Sequence, residues 1–358
     1  MQNRIYIKDL KPARNASSIA DAGGDNVGKE VIIAGWVDVR RDQGKMVFFD
    51  MRDVSGKIQC VVLPSRMEVI EKAKEIRPEW VLKITGLMNK RPEKNVNKRI
   101  LNGDLELEAI NIEVLSRAKE LPFALDTELN FDTYLDYLPL TLRTQRARDI
   151  FTMQATILQA YRDSLISQKF TEFEAPTLVG EDAEGGAAAF KVDYYYDQTA
   201  YLATSPQFYK QIMVGPFERS FTVTKIFRAE KHATTRHLSE ATCLDFEMGF
   251  IENEREPMAV LEQAIRDVVK AVSEKHAEMF ARFNTILPLM PDKIPILTLK
   301  EAHEILGVEH VSDIDPEHER KICEWAKKEK GSDFVFITRY PTAKRAFYTY
   351  EDPAEAPY

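Results

Sequence analysis

The sequence predicts an α+β chain that begins with an all-β module. Three observations predict it. Five strand-like segments follow one another at 31–39, 46–52, 57–63, 81–87 and 105–115, with one helical segment at 65–76. A stretch at 118–140, punctuated by Pro122 and Pro139 and acidic at Asp126, Glu128, Asp132 and Asp136, then breaks the pattern. Beyond it, long amphipathic helices alternate with short apolar strands. At 358 residues the chain is long enough for two or three domains, each with its own core. The division is 1–117 for the all-β module, 118–140 for a linker and 141–358 for an α+β domain.

Composition sets bounds on function. Hydrophobic residues make up 44% and charged residues 30%, the balance of a soluble globular chain. No apolar run is long enough to span a bilayer, and the residues after Met1 do not form a signal peptide, so a cytoplasmic protein is expected. Cys60, Cys243 and Cys323 form no CxxC pair. Cys60 and Cys243 sit in apolar strand patterns, so buried thiols in a reducing compartment are expected, with no zinc site. A net charge of −8 argues against a general polyanion binder but leaves room for local basic patches.

Five strands with a helix after the third is the order of an OB-type barrel, a fold that commonly binds single-stranded nucleic acid. Turn signals at Gly44, Val54-Ser55-Gly56, Gly86 and Asn102-Gly103 separate the strands. One face is expected to carry Arg40, Arg41, Lys45 and Lys57 beside Phe48 and Phe49. Successive strand residues point to opposite faces, so only one phenylalanine reaches solvent; Phe49 is assigned to the core and Phe48 to base stacking. Lys90, Arg91, Lys94, Lys98 and Arg99 form a basic loop, which is either a solvated charge run or an extension of that face.

After the linker, 145–168 reads as a long helix with Ile150, Met153, Ile157, Tyr161 and Leu165 on one face, either packed within the domain or at a dimer interface. A short strand at 172–174 precedes Pro176. Gly185 and Gly186 follow acidic residues in a loop that is either a plain turn or one able to close over a ligand. Strands are expected at 191–196 and 200–203. Ser205 then serves as N-cap, with Pro206 at the first helical position. In that helix Gln207 and Lys210 share a face. An ammonium beside an amide suits a small ligand's carboxylate, although a surface pair is the commoner explanation. Helices are expected at 256–282, 297–306 and 317–330, and a buried strand at 334–338. Residues 351–358 are proline-rich and without structure of their own.

Between 220 and 251 lies an apolar hairpin: Phe221, Val223 and Ile226 on one strand, Leu244, Phe246, Met248 and Phe250 on the other. Its connection holds Arg228, Glu230, His232, Arg236 and His237. The arrangement is either a solvated hairpin or a clamp for a highly charged anion, with an acid beside it to read a donor.

In this order, GWVDVRRDQGKMVFFDMRDVSGKIQCVV, EGG, SPQFYKQ, FRAE and RHL resemble the class II aminoacyl-tRNA synthetases of the aspartate, asparagine and lysine subgroup over nearly the whole chain. SPQFYKQ is most similar to the aspartate enzymes; asparagine enzymes typically carry an SGQ-type sequence there. The resemblance implies an OB-fold anticodon-binding domain before an antiparallel-sheet catalytic domain, ATP and Mg2+, and tRNA(Asp), with tRNA(Asn) left open. It also implies L-aspartate as substrate and a homodimer, with no membrane partner. By the same resemblance Arg228 contacts the ATP α-phosphate and the amino acid's carboxylate, and Glu230 accepts from the adenine amino group. Arg236 and His237, with Leu238 completing the motif, hold the outer phosphates. Lys210 pairs with the aspartate side chain, Gln207 helps hold the amino acid and Glu184 takes its ammonium. Phe48 and Gln59 read anticodon bases, aided by Arg40 or Arg41.

Two departures qualify the resemblance. Ala241 stands where bacterial relatives have a phenylalanine that stacks on adenine. The pattern also continues past Tyr358 in the family, through acidic residues that hold magnesium to a glycine-rich strand–helix with an arginine for ATP. The resemblance thus implies a chain truncated at its C-terminus, with no metal ligands of its own, that does not complete adenylation alone. The catalytic part resembles the archaeal and eukaryotic branch, since no large insertion follows the hairpin as in the typical bacterial enzyme, whereas RPEKNVNKRILNGDLELE is more similar to the bacterial enzymes. Two other readings remain open: an asparagine enzyme of the same fold, and a non-catalytic tRNA-binding paralogue.

Overall fold

A computed structural model describes residues 3–10, 26–98, 101–125, 127–181, 183, 188–231 and 238–353. The chain divides into two compact units, Met1–Leu129 and Asn130–Tyr358.

The first unit is a closed barrel. Its strands are β1 (Glu30–Asp42), β2 (Val47–Arg52) and β3 (Lys57–Val62), then, after helix α1 (Met67–Glu75), β4 (Val81–Lys90) and β5 (Leu105–Ser116). They close in the order β1-β2-β3-β5-β4, with only the β3–β5 pairing parallel. Closure works because β1 is long enough to pair with β4 through its first half and with β2 through its second, bending at a bulge between Val37 and Val39. Alternation drives the inner face together: Val31, Ile33 and Val37, then Val47, Phe49 and Met51, Ile58, Cys60 and Val62, Leu82, Ile84 and Met88, and Leu105 and Leu107 are buried in one core. Two glycines permit close strand approach. A Cβ at Gly35 would lie 2.2 Å from the Arg52 carbonyl oxygen, and one at Gly86 2.4 Å from that of Glu108.

The second unit opens with α2 (Phe131–Asp136) and α3 (Leu138–Thr141). Residues 130–140, expected as linker, are therefore folded. Asn130 caps α2 by accepting from Thr133 N at 2.8 Å, and Pro139 is tolerated in the first turn of α3. Helix α4 (Gln145–Ser167) leads to β6 (Thr171–Glu172), β7 (Leu178–Val179), β8 (Lys191–Tyr194) and β9 (Gln198–Leu202), then to α5 (Gln207–Phe217). The central hairpin is β10 (Arg219–Phe227) and β11 (Glu240–Met248), followed by α6 (Arg255–Arg282). The last elements are β12 (Ile296–Thr298), α7 (Leu299–Leu306), α8 (Pro316–Lys330) and β13 (Phe336–Thr338). Among the described residues the sheets are small: β11-β10-β6, β7-β9-β8 and the parallel pair β12-β13.

Of the boundaries that differ from expectation, two have a local cause in capping. Helix 297–306 begins at Leu299, because Thr298 caps it in a capping box with Glu301 and so holds extended backbone; residues 296–298 pair with β13 instead. Pro206, not Ser205, is the N-cap of α5, and Ser205 Oγ accepts from Gln207 N at 3.2 Å from one position further out.

α4 and α6 pack together beneath the hairpin. Tyr161, Leu165 and Phe170 meet Phe221, Met248, Val260 and Ala264 in one core. Polar contacts fix the register of the two helices. The Arg282 guanidinium donates to Asp149 at 2.6 and 3.0 Å, and Ser164 Oγ lies 2.6 Å from Asp267 Oδ2. Burial raises the Asp149 pKa, but the Arg282 and Gln145 hydrogen bonds outweigh it and hold this carboxyl below the usual range.

Candidate active site and nucleic-acid face

The β10–β11 register sorts the hairpin into two chemically different faces. Phe221 pairs with Phe246 and Arg219 with Met248, and the apolar members of this face pack on α4 and α6. On the other face Ser220 stands opposite Glu247, Thr222 opposite Asp245 and Thr224 opposite Cys243. A polar sheet face inside a domain needs polar cover, and α5 supplies it. The Ser220 hydroxyl donates to the Lys210 carbonyl at 3.3 Å.

Lys210 is only 8% exposed, so the surface-pair reading of Gln207 and Lys210 does not hold. Its Nζ lies 2.6 Å from Asp245 Oδ1 and 3.4 Å from Glu247 Oε2. Gln207 Nε2 also donates to Glu247 Oε2, at 3.4 Å, as their shared helix face requires. Burial lowers an ammonium's pKa, but the charge and hydrogen bond of Asp245, with those of Glu247, outweigh it, so Lys210 is held above the ordinary lysine range. Cys243 borders the same floor, with Sγ 3.8 Å from Asp245 Oδ2. Its thiol is pushed up to about 11, by burial and then by Asp245, against the opposing charges of Lys210 and Arg228.

Arg228 leaves the end of β10 and is half-buried, as is Glu230. Backbone bonds hold this end from three sides: Phe227 N to Ala203 O at 2.9 Å, Arg228 N to Ser239 O at 3.1 Å, and Ala229 N to Ala188 O at 2.6 Å. Ala203 leads into α5, and Ala188 closely follows the double-glycine loop. Leu238, on the return of the hairpin, is 65% exposed. Glu184, Arg236 and His237 lie outside the described residues, as does His232.

On the barrel the structure separates two arginines that the sequence left equivalent. Arg41 stands opposite Phe48, and Arg40 opposite the fully buried Phe49. Arg40 Nε donates to the Ala73 carbonyl near the C-terminal end of α1, at 3.2 Å. Arg41 instead donates to Asp50 Oδ1 at 2.8 Å and Gln59 Oε1 at 3.2 Å, and Gln59 Nε2 donates to Glu106 Oε2 at 3.2 Å. One outer face thus carries Phe48, Arg41 and Gln59 side by side. Lys57, expected on this face, lies 2.5 Å from Asp38. Asp50 is raised by burial, with Arg41 opposing.

Sequence reasoning missed Asp245, Glu247 and Cys243 on the floor, and Asp50 and Glu106 on the barrel. A signal was present: in EATCLDFEM the apolar Leu244, Phe246 and Met248 alternate with Cys243, Asp245 and Glu247, which alternation sends to the opposite face. Among the described residues no group of three or more His, Cys, Asp or Glu side chains could hold a metal ion.

The closed barrel and the hairpin unit each match a known protein family. Residues 130–357 match the family described as tRNA synthetases class II (D, K and N), and residues 31–115 the OB-fold nucleic acid binding domain. The chain belongs to the class II tRNA synthetases, in the branch of the D, K and N enzymes. It is 37% identical over 357 residues to an aspartate–tRNA(Asp/Asn) ligase of Thermus thermophilus, covering 98% of this chain and 78% of that one. It is 34% identical to an aspartate–tRNA(Asp) ligase of Pyrococcus horikoshii, covering 90% and 74%. Among solved structures, asparaginyl-tRNA synthetase of P. horikoshii with asparaginyl-adenylate superposes with a TM-score of 0.86 at 29% identity, covering 100% and 79%. Aspartyl tRNA synthetase of Entamoeba histolytica gives 0.81 at 26%, covering 98% and 78%.

Proposed function

We propose that the chain activates L-aspartate with ATP and transfers it to tRNA(Asp), with tRNA(Asn) as a second acceptor to be tested. The observation that carries this reading is Lys210, a buried ammonium paired with Asp245 and Glu247 on the polar face of the hairpin whose first strand runs into Arg228. An ammonium favours a side-chain carboxylate over an amide, because the carboxylate is charged and both of its oxygens accept, whereas an amide is neutral and offers one accepting oxygen. The aspartate relatives support the same substrate.

In this reading Arg228 bridges the substrate's α-carboxylate and the ATP α-phosphate. A carboxylate oxygen attacks α-phosphorus, a new P–O bond forms, and the bond to pyrophosphate breaks. No side chain acts as nucleophile; positioning and charge stabilisation lower the barrier. Glu230 accepts from the adenine amino group. Asp245 and Glu247 keep Lys210 charged and Gln207 in place, while Glu184 takes the substrate ammonium and Arg236 and His237, with Leu238, the outer phosphates. Magnesium accompanies ATP as part of the substrate. Phe48, Arg41 and Gln59 read anticodon bases by stacking and hydrogen bonding. The protein works in the cytoplasm as a homodimer, for which the exposed Ile150, Phe151 and Ile166 of α4 supply apolar surface.

The test is calorimetric binding of non-hydrolysable aspartyl- and asparaginyl-adenylate analogues. The aspartyl analogue is expected to bind tighter by about 100-fold, equivalent to the roughly 3 kcal/mol that a hydrogen bond to a charged group contributes at most. Equal affinity, or preference for the asparaginyl analogue, would overturn the assignment.

A further inference from the structure

Trp36, on β1 of the barrel, keeps 36% of its surface in water. Cross-strand register puts it on the same outer face as the proposed base readers. Trp36 stands opposite Arg52 and Arg52 opposite Lys57, while Arg41 stands opposite Phe48 and Asp50 opposite Gln59. Phe48, Asp50 and Arg52 alternate along β2, so these pairs all project outward together. The Phe48 and Arg52 rows are four residues apart on β2, roughly 13 Å at about 3.3 Å per residue. Bases stacked at about 3.4 Å fill that length with about four nucleotides. The face therefore has room for a base beyond an anticodon triplet.

The ring is held in place by a buried cation. The Arg52 guanidinium lies 5.7 Å from the centre of the Trp36 ring and is itself buried. It pairs with the buried Glu79 and donates to Asp38 at 3.1 Å. Two carboxylates thus fix the guanidinium, and the guanidinium fixes the indole. Glu79 occupies the left-handed backbone region, at φ 66°, a conformation that persists for such a residue only where its surroundings hold it. The neighbouring chemistry selects what the exposed part of the indole can take. Arg41 pairs with Asp50, and Arg52 and Lys57 pair with Asp38, so this face leaves little unneutralised charge for a phosphate or an acidic peptide. The polar row of Asp50 and Gln59 separates Phe48 from Trp36, so the rings form no continuous apolar patch of the kind a protein partner covers. Separate rings among paired charges suit unpaired bases, each of which offers a flat π-face.

We propose that Trp36 stacks on one further unpaired base of the RNA, next to the anticodon triplet read at the Phe48 end of the same face. This rests on the proposed anticodon reading of the barrel and extends it along β2 to a second stacking position. Arg52, Glu79 and Asp38 act through Trp36: they hold the ring and do not touch the RNA.

The test is fluorescence anisotropy of the whole chain with labelled anticodon stem-loops of tRNA(Asp). One loop is intact, and two carry an abasic residue in place of the base on the 5′ or the 3′ side of the triplet. Wild type is expected to bind at least one abasic loop about tenfold more weakly than the intact loop. Trp36→Leu should lose about tenfold on the intact loop and nothing further on that abasic loop, because the base and the ring act as one pair. Trp36→Phe keeps a ring and should stay within about threefold of wild type. Phe48→Ala separates the two readings. If it weakens the intact loop while Trp36→Leu does not, the second stacking position is overturned and the anticodon reading stands. The same holds if Trp36→Leu still discriminates the abasic loop as wild type does, or if Trp36→Phe loses as much as Trp36→Leu. A wild-type chain that binds no stem-loop, or Phe48→Ala binding as tightly as wild type, overturns both. If Trp36→Leu does not fold, wild type decides alone: equal affinity for all three loops overturns the proposal.

Discussion

The barrel and the hairpin unit place their recognition groups in opposite environments. The barrel closes on itself around one continuous apolar core, and Phe48, Arg41 and Gln59 stand on its outside. Its charges there pair sideways: Arg41 with Asp50 and Lys57 with Asp38, both in contact with water. The hairpin unit has smaller apolar clusters and three small sheets among the described residues, and it turns a polar sheet face inward. Lys210, Asp245 and Glu247 occupy that face, where removing one charge strands another. A laterally paired surface can lose a member at little cost to the fold, whereas an inward charge cluster ties binding to stability.

The strongest way to break this contrast is Lys210→Met. It leaves Asp245 and Glu247 together without their ammonium. We expect a loss of about 3 kcal/mol in urea unfolding of the hairpin unit, together with loss of aspartyl-adenylate analogue binding. Full stability in the variant would show that water screens the cluster. Arg228→Ala should weaken the same analogue by about 100-fold while leaving anticodon stem-loop binding unchanged, measured by calorimetry and fluorescence anisotropy. A matching loss of RNA affinity would merge the two regions.

On the barrel, Phe48→Ala should cost about 2 kcal/mol of stem-loop binding with little change in melting temperature. Arg40→Ala should do the reverse, because its guanidinium is held by the end of α1 and by Asp42, with no hydrogen bond to Gln59 and no ring contact with Phe48. An RNA defect in Arg40→Ala equal to that of Arg41→Ala would erase the distinction. The smallest effect is expected at Asp149, below the hairpin. A carboxylate held low in the folded state contributes its full stability above its unfolded value near about 3.9, and that contribution fades as pH falls through the folded value. Asp149→Asn should therefore destabilise by about 1 kcal/mol at neutral pH, since Arg282 keeps contact with water, and by less as the pH drops below about 4. A constant difference from pH 7 to pH 2 would show that Asp149 acts by packing and not by charge.

Much of this contrast is legible in the sequence. The barrel's strand order follows from alternation and turn residues, and the assignment of Phe49 to the core matches its complete burial. The α5 pair, Gln207 and Lys210, is visible as helical spacing. The partners of Lys210 are not, because Asp245 and Glu247 lie 35 and 37 residues away and meet it only when β11 and α5 share a sheet face. Arg40 and Arg41 are adjacent and chemically identical, so only the position of α1 tells them apart.

Local rules by themselves determined the helices, most strands, the barrel and the cations worth watching, since periodicity, caps and turn residues act over a few positions. Only the tertiary structure decided which cation is buried, which acids neutralise it, and which arginine faces outward. Those outcomes depend on burial and on pairs far apart in the chain, and burial is what turns a charge from a solvated group into one that must have a partner.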